Sequence, residues 1–309
     1  MSILKLKPVL KNYIWGGNTL KKIYKRSSLE KVAESWEMSI HHDGESIIDG
    51  GEFNGITLSE YLKNNKNSLG NINELPILIK YIDAGGNLSV QVHPNDEYSK
   101  KNENDNGKTE MWYIISAKKG AGIYCGLNKE INKDEFKSLI AENKIESVLN
   151  FIPVSAGDCF LIEAGTLHAI CQGVIICEIQ QSSNITYRVY DYGRVGIDGK
   201  PRQLHIEKAL DVTKLQKFID NTGTEKYLNI NGNKTRLLTK CKYFICKEVI
   251  IKSNFNYCDD KSFSVINFIK GKGTINGCNY IDGDTFFIPC KEKVYVIGSA
   301  KIIISSANI

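Results

Sequence analysis

The chain contains no uninterrupted apolar run long enough to span a bilayer, which argues against a helical membrane protein. Its start, Met-Ser-Ile-Leu-Lys-Leu-Lys, is too short and too alternating for a secretory signal. No Cys-x-x-Cys pair occurs among its nine cysteines, so the usual zinc-ribbon and dithiol redox motifs are missing. Several cysteines instead sit among apolar residues, as in Val174-Ile-Ile-Cys-Glu-Ile179, and read as buried free thiols of a cytoplasmic protein. A dense Arg/Lys stripe with interleaved aromatics is also lacking. The net charge of +5 therefore does not point to nucleic acid and suits an anionic metabolite equally well. Histidine is scarce, with five in 309 residues, so the setting of each one carries information.

What is present is mostly strand-like. From Glu146 to Asp191 the apolar segments are short, β-branched or aromatic, and cut by Gly, Pro or Asn, as in an antiparallel barrel or sandwich. Helices are expected over 18–25, 58–63 (capped by Thr57, with Glu60 three residues on), 96–103, 132–143 (capped by Asn132) and within 205–219. Residues 1–220 are expected to form the chemical domain and 221–235 a linker. The tail 236–309 is expected to be a smaller β domain with hairpin turns at Asn276-Gly277 and Asp282-Gly283. A Gly-Asp turn leading into an apolar strand occurs at Gly157-Asp158 and again at Gly283-Asp284, 126 positions later. At that offset His168 falls on Val294, so the tail is expected to be a related unit without metal.

The chemistry concentrates in Ser89-Val-Gln-Val-His93. A strand has period two, so Gln91 and His93 share one face and Val90 and Val92 the other. Glu110 opens the strand Met111-Trp-Tyr-Ile-Ile115, and His168 follows Gly165-Thr-Leu. Two imidazoles, a carboxylate and an amide oxygen from separate strands make a metal site. The donor set suits catalytic zinc and also a non-haem iron triad. Arg188, in the polar run Glu178 to Arg194, is costly in a strand unless paired or aimed at an anion. Lys80 lies embedded in Ile77-Leu-Ile-Lys-Tyr-Ile-Asp83, either as a snorkelling side chain or as a pocket residue.

These blocks resemble the type I mannose-6-phosphate isomerases in their short bacterial form. The matching pieces are Tyr13-Ile-Trp-Gly-Gly, Glu34-Ser-Trp-Glu, Leu78-Ile-Lys-Tyr-Ile-Asp-Ala, Leu88-Ser-Val-Gln-Val-His-Pro-Asn-Asp, Gly107-Lys-Thr-Glu-Met-Trp-Tyr, Ala164-Gly-Thr-Leu-His-Ala-Ile and Thr186-Tyr-Arg-Val-Tyr-Asp. They run in family order over about residues 10 to 195. The resemblance implies a cupin-like antiparallel β-barrel (jelly roll) with short helices. It also implies one Zn2+ per chain on His93, Glu110 and His168, with Gln91 as a further ligand, and a catalytic Arg188. Lys80 and Lys108 match pocket positions. The implied reaction interconverts mannose 6-phosphate and fructose 6-phosphate through an enediol. Glu178 is the first carboxylate to test as general base, and Arg194 is a candidate anion contact. Asn184 stands where the family often has Asp, and Gly193 where Asp is common. Partners are expected to be sugar phosphates only, with no nucleic acid or membrane, in a monomer or weak dimer. An iron oxygenase, a non-catalytic sugar-binding module and an epimerase remain the rival readings.

Overall fold

A computed structural model describes residues 2–25, 30–196, 199–219 and 225–309. Within them the strands form three large open sheets and a small hairpin. The middle layer has six strands, in the order Cys159–Ile162, Glu110–Ala117, Val174–Gln181, Ile77–Asp83, Glu34–Met38, Val9–Lys11. One face of this layer packs on a five-stranded sheet ordered Leu149–Pro153, Gly122–Leu127, His168–Ile170, Val90–Val92, Tyr187–Tyr190. Trp112, Ile114, Ile123, Ile170 and Ile176 fill the space between the two. The other face packs on the ten-stranded C-terminal sheet through Ile77, Ile79, Tyr81 and Cys177, which meet Leu238, Phe244 and Val265. Cover on both sides explains why every residue of Ile77–Asp83 and Val174–Gln181 is buried, where a half-exposed strand would alternate.

The expected cupin-like barrel is not there: no sheet closes on itself among the described residues. Alternation along short strands reports that a face is buried, but not whether the first and last strands of a sheet meet. Here the two outer strands of each sheet do not pair with one another among the described residues, and the layers are held by side-chain packing instead of a closed ladder.

The ten-stranded sheet is not built from the tail alone. Leu4–Lys7 pairs with Thr285–Ile288 on one side and with Ile47–Ile48 on the other. The stretch expected as a linker contains the strand Leu228–Ile230 and the first three residues of Asn233–Lys240, while 221–224 lie outside the described residues. The two Gly-Asp turns are alike in detail. Asp158 accepts the Ser155 N–H at 2.7 Å and Asp284 the Ile281 N–H at 3.0 Å, each three residues back. Each glycine has positive φ, and each aspartate carbonyl accepts from a neighbouring strand, at Ile114 and Phe268.

Local signals set the helices. Thr57 and Asn132 cap Leu58–Asn64 and Lys133–Ala141 by accepting from Glu60 and Glu135, and Asn95 caps Asp96–Asn102. Lys133–Ala141 and Ile206–Val212 cover the outer face of the five-stranded sheet, where Phe136, Ile140 and Leu210 meet Val90, Val92 and Val189. No described helix is long and apolar enough to cross a membrane.

Candidate active site

With Val90 and Val92 packed outward against the helices, the opposite pleat turns Gln91 inward, and His93 follows just past the strand. The Gln91 side-chain nitrogen lies 3.3 Å from His168 Nε2, and the two residues are register partners on adjacent strands. Glu110 comes from the facing sheet. One donor atom from each of His93, Glu110 and His168 falls within 4.8 Å of the others, and all three residues are buried.

Hydrogen bonds behind the rings fix their orientation. His93 Nδ1–H donates to the Ile185 carbonyl at 2.7 Å, and His168 Nδ1–H to the Thr166 carbonyl at 2.8 Å. Each ring therefore presents an Nε2 lone pair to the site. Burial, above all, pushes the His93 pKa well below its usual value and that of His168 down to about 4, so both rings are neutral near pH 7. Those lone pairs face Glu110 oxygens at 3.6 and 3.4 Å. Neither Glu110 oxygen accepts a well-formed hydrogen bond, although the Lys108 ammonium approaches at 3.0 Å. Lone pairs aimed at a buried carboxylate repel unless a cation lies among them, so the donor set fits a divalent metal. Lys108 Nζ also lies 3.1 Å from His93 Nε2, and part of that positive charge is the lysine's own.

A cavity of about 210 Å³ opens beside these donors, lined by Gln91, Lys108, Lys80, Glu178, Arg188, Trp112, Glu34, Asn184 and Arg202, among others. Lys80 is fully sheltered: its ammonium sits over the Trp36 ring at 4.6 Å, with Glu34 at 3.5 Å and Glu178 at 3.9 Å. Glu178 Oε2 accepts from the Trp112 indole at 3.0 Å, while Oε1 accepts no hydrogen bond. Burial first, and then the charge of Glu110, raise its pKa to about 7 against the pull of Lys108 and Lys80. Arg188 is the register partner of Gln91, and its guanidinium is propped by Ser89 Oγ at 3.3 Å and the Gln203 carbonyl at 2.9 Å.

Sequence reasoning thus singled out Gln91, His93, Glu110, His168, Lys80, Lys108, Glu178 and Arg188, and the fold brings these together. Arg194, also singled out, lies outside the cavity lining and is committed to Asp191 and the Asn87 carbonyl. Arg202 was missed. It sits in an irregular segment with no periodicity, and the only hint was its closeness to His205. Of the remaining histidines, His205 accepts the Arg188 N–H at 3.2 Å, a hydrogen-bonding role. His41 and His42 sit with Asp43 at a hairpin turn, and there His42 and Asp43 are exposed.

Comparison with known proteins agrees with this geometry. Residues 3–146 match the family model of the phosphomannose isomerase type I catalytic domain. Mannose-6-phosphate isomerase ManA of Bacillus subtilis is 35% identical over 97% of this chain and 95% of its own. A crystal structure of a mannose 6-phosphate isomerase from Bacillus subtilis superposes with a TM-score of 0.93 at 32% identity, covering 99% of both chains. A zinc-bound mannose 6-phosphate isomerase shares the fold, at a TM-score of 0.80, 17% identity and full coverage of both chains. With a relative this similar along nearly the whole length, the chain belongs to the type I phosphomannose isomerase family.

Proposed function

We propose that this chain is an aldose–ketose isomerase that interconverts mannose 6-phosphate and fructose 6-phosphate, using one zinc ion held by His93, Glu110, His168 and Gln91. The observation that carries the reading is the convergence of two neutral imidazole lone pairs on a buried carboxylate whose one close cation among the described residues is Lys108, beside a polar cavity. Membership of the family and the names of the relatives supply the substrate. When bound, zinc supplies a Lewis acid that stabilises negative charge developing on substrate oxygens.

The chain's own residues do the rest. Glu178 is the proton carrier between C2 and C1: its Oε1 accepts no hydrogen bond, with the Lys80 ammonium 3.9 Å away, its Oε2 is anchored by Trp112, and a pKa near 7 suits a base at neutral pH. Trp112 also packs edge-on to His168, with ring centres 5.3 Å apart, so one indole positions both the base and a metal donor. Arg188 meets the open-chain sugar from the strand next to Gln91. Lys80 and Lys108 balance the carboxylates and line the substrate's path. In this proposal residues 1–220 carry the chemistry and 236–309 hold no metal. The protein works in the cytoplasm as a monomer or weak dimer.

Metal content of the purified protein, measured together with a coupled assay for fructose 6-phosphate formation, tests the reading. One zinc per chain and turnover of mannose 6-phosphate are expected. A metal-replete protein that leaves mannose 6-phosphate untouched would overturn it, and iron with O₂ dependence would favour the oxygenase alternative.

A further inference from the structure

The buried trio is not the only set of metal-type donors that the fold gathers. Among the described residues one other group of three brings its ligand atoms within 4.8 Å of one another. It is His41, His42 and Asp43, at the turn of the hairpin formed by Ile40–His41 and Gly44–Glu45. His41 Nδ1 lies 3.6 Å from Asp43 Oδ2, and His42 Nε2 lies 3.4 Å from Asp43 Oδ1. The buried site shows the same two separations, 3.6 Å from His93 Nε2 and 3.4 Å from His168 Nε2 to the Glu110 oxygens. A tetrahedral ion with bonds of about 2.1 Å sets its donors about 3.4 Å apart, so both trios are spaced for a cation.

The protonation states and the bracing of the turn suit that role. The Asp43 N–H donates to His41 Nδ1 at 3.1 Å, which puts this ring's proton on Nε2 and its lone pair at the turn. Burial, and then the neighbouring His42, lower the His41 pKa, so the ring is neutral near pH 7. A hydrogen bond from Asn184, 2.8 Å from Oδ2, is the main cause that holds the Asp43 carboxyl below its usual pKa and ionised. The His41 ring meets Trp36 edge-on at 6.0 Å and stacks on His42 at 4.2 Å. The Lys11 ammonium caps the Asp43 carbonyl. Only the His42 side chain, 84% exposed, stands in solvent and can close on an ion without disturbing its neighbours.

Both rings line a surface cleft of about 1000 Å³, and Asp105 on the same cleft adds negative charge that reaches His41. We propose that His41, His42 and Asp43 form a second, exchangeable site for a divalent cation of the class that takes imidazole together with carboxylate, such as zinc, with water from the cleft completing its shell. The ion takes His41 Nδ1 in place of the Asp43 N–H and takes Asp43 through Oδ1, which leaves Oδ2 to Asn184. Asn184 lines the catalytic cavity, so the ion fastens the hairpin to the rim of that cavity without entering it. Because His42 and Asp43 are exposed, the site exchanges with solvent and dialysis empties it, while the buried site keeps its metal.

Calorimetric titration of zinc into dialysed wild type, His42→Ala and Asp43→Ala tests it. Wild type is expected to show a binding event additional to the buried site. In both variants that event should weaken by more than the roughly 10–100-fold that losing an outer partner of a metal ligand costs. The wild type and His42→Ala differ by one ion per chain whatever the buried site holds, so the outcome does not depend on the isomerase reading. Removing a side chain that stands in solvent leaves the fold intact, so His42→Ala decides even if Asp43→Ala loosens the hairpin. Nuclear magnetic resonance of the histidine rings gives a second readout: the additional zinc should shift the signals of His41 and His42 and spare those of His205. The proposal is overturned if wild type shows no additional event. An additional event of unchanged affinity in His42→Ala overturns it equally, and would point to the exposed thiols of Cys258 and Cys278.

Discussion

At the scale of single residues, the donor set makes sharp demands. His93→Ala and His168→Ala each remove an Nε2 lone pair. Both are expected to weaken metal binding by more than the roughly 10–100-fold typical of losing an outer hydrogen-bond partner. Dialysis followed by metal analysis checks this. Arg188→Ala should keep the metal and lower kcat/KM by about 10²–10³-fold, as for loss of one charge-stabilising donor. Loss of zinc in that variant would show its role to be structural. The buried imidazoles also give the metal-free protein a pH signature. Unfolded histidine takes up a proton near pH 6.5, but folded His168 resists until about 4, and burial likewise holds His93 well below its usual value. The unfolded state therefore binds more protons in that window, and stability falls as pH drops from about 6.5 towards 4. Thermal melts of the metal-free protein across that range should move steadily downward, and melts that stay flat would contradict neutral buried rings. Most of these residues were legible in the sequence. The period of two at Gln91 and His93 is local, and a carboxylate opening an apolar strand, as Glu110 does, is conspicuous. Arg202 was not, because what brings it to the cavity is a contact with Asp191 across an irregular loop.

At the scale of elements, the approach to Glu110 is the most constrained. The Gly107 N–H donates to Asp96 Oδ1 at 3.0 Å, Gln181 donates to the same oxygen at 2.9 Å, and Gln181 accepts from the Thr109 N–H at 2.9 Å. This clamp holds the backbone on both sides of Lys108. A Cβ on Gly107 would come within 2.4 Å of the Asp96 nitrogen, which is backbone and cannot swing aside. Gly107→Ala is expected to cost about 1–3 kcal/mol by overpacking and to weaken the metal site by displacing Lys108 and Glu110. Chemical denaturation and metal titration of one preparation report both effects. Caps and turns were readable because their causes lie within a few residues. Thr57, Asn132 and the Asn276-Gly277 turn (both residues at positive φ) all behave as their side chains dictate. Of the one helix or two short ones expected within 205–219, Ile206–Val212 is helical; beyond it Leu215 still packs with the helix, but its carbonyl accepts from the Ile131 N–H, and Phe218 packs between the two sheets with its N–H on the Leu127 carbonyl.

At the scale of the whole molecule, the strand pattern left a barrel or a sandwich open, and the resemblance led to a closed barrel where the layers stack as open sheets. Pairings such as Leu4–Lys7 with Thr285–Ile288 span almost the entire chain and leave no local trace. The C-terminal sheet is joined to the middle layer by a buried polar knot as well as by apolar packing. Glu248, fully buried, accepts from Tyr113 at 2.8 Å, Tyr227 at 2.7 Å and Arg236 at 2.5 Å. Glu248→Ala strands the Arg236 charge and is expected to cost about 3–5 kcal/mol, read as a drop in melting temperature, whereas a loss under 1 kcal/mol would mean that water reaches the knot. Tyr113 sits on the same strand as Glu110, so the knot ties the C-terminal sheet to the strand that carries a metal donor. The double cover of Ile77–Asp83 and Val174–Gln181 has a kinetic corollary. With no solvent on either side, their amide protons have no local route to exchange with deuterium and leave only when the entire chain opens.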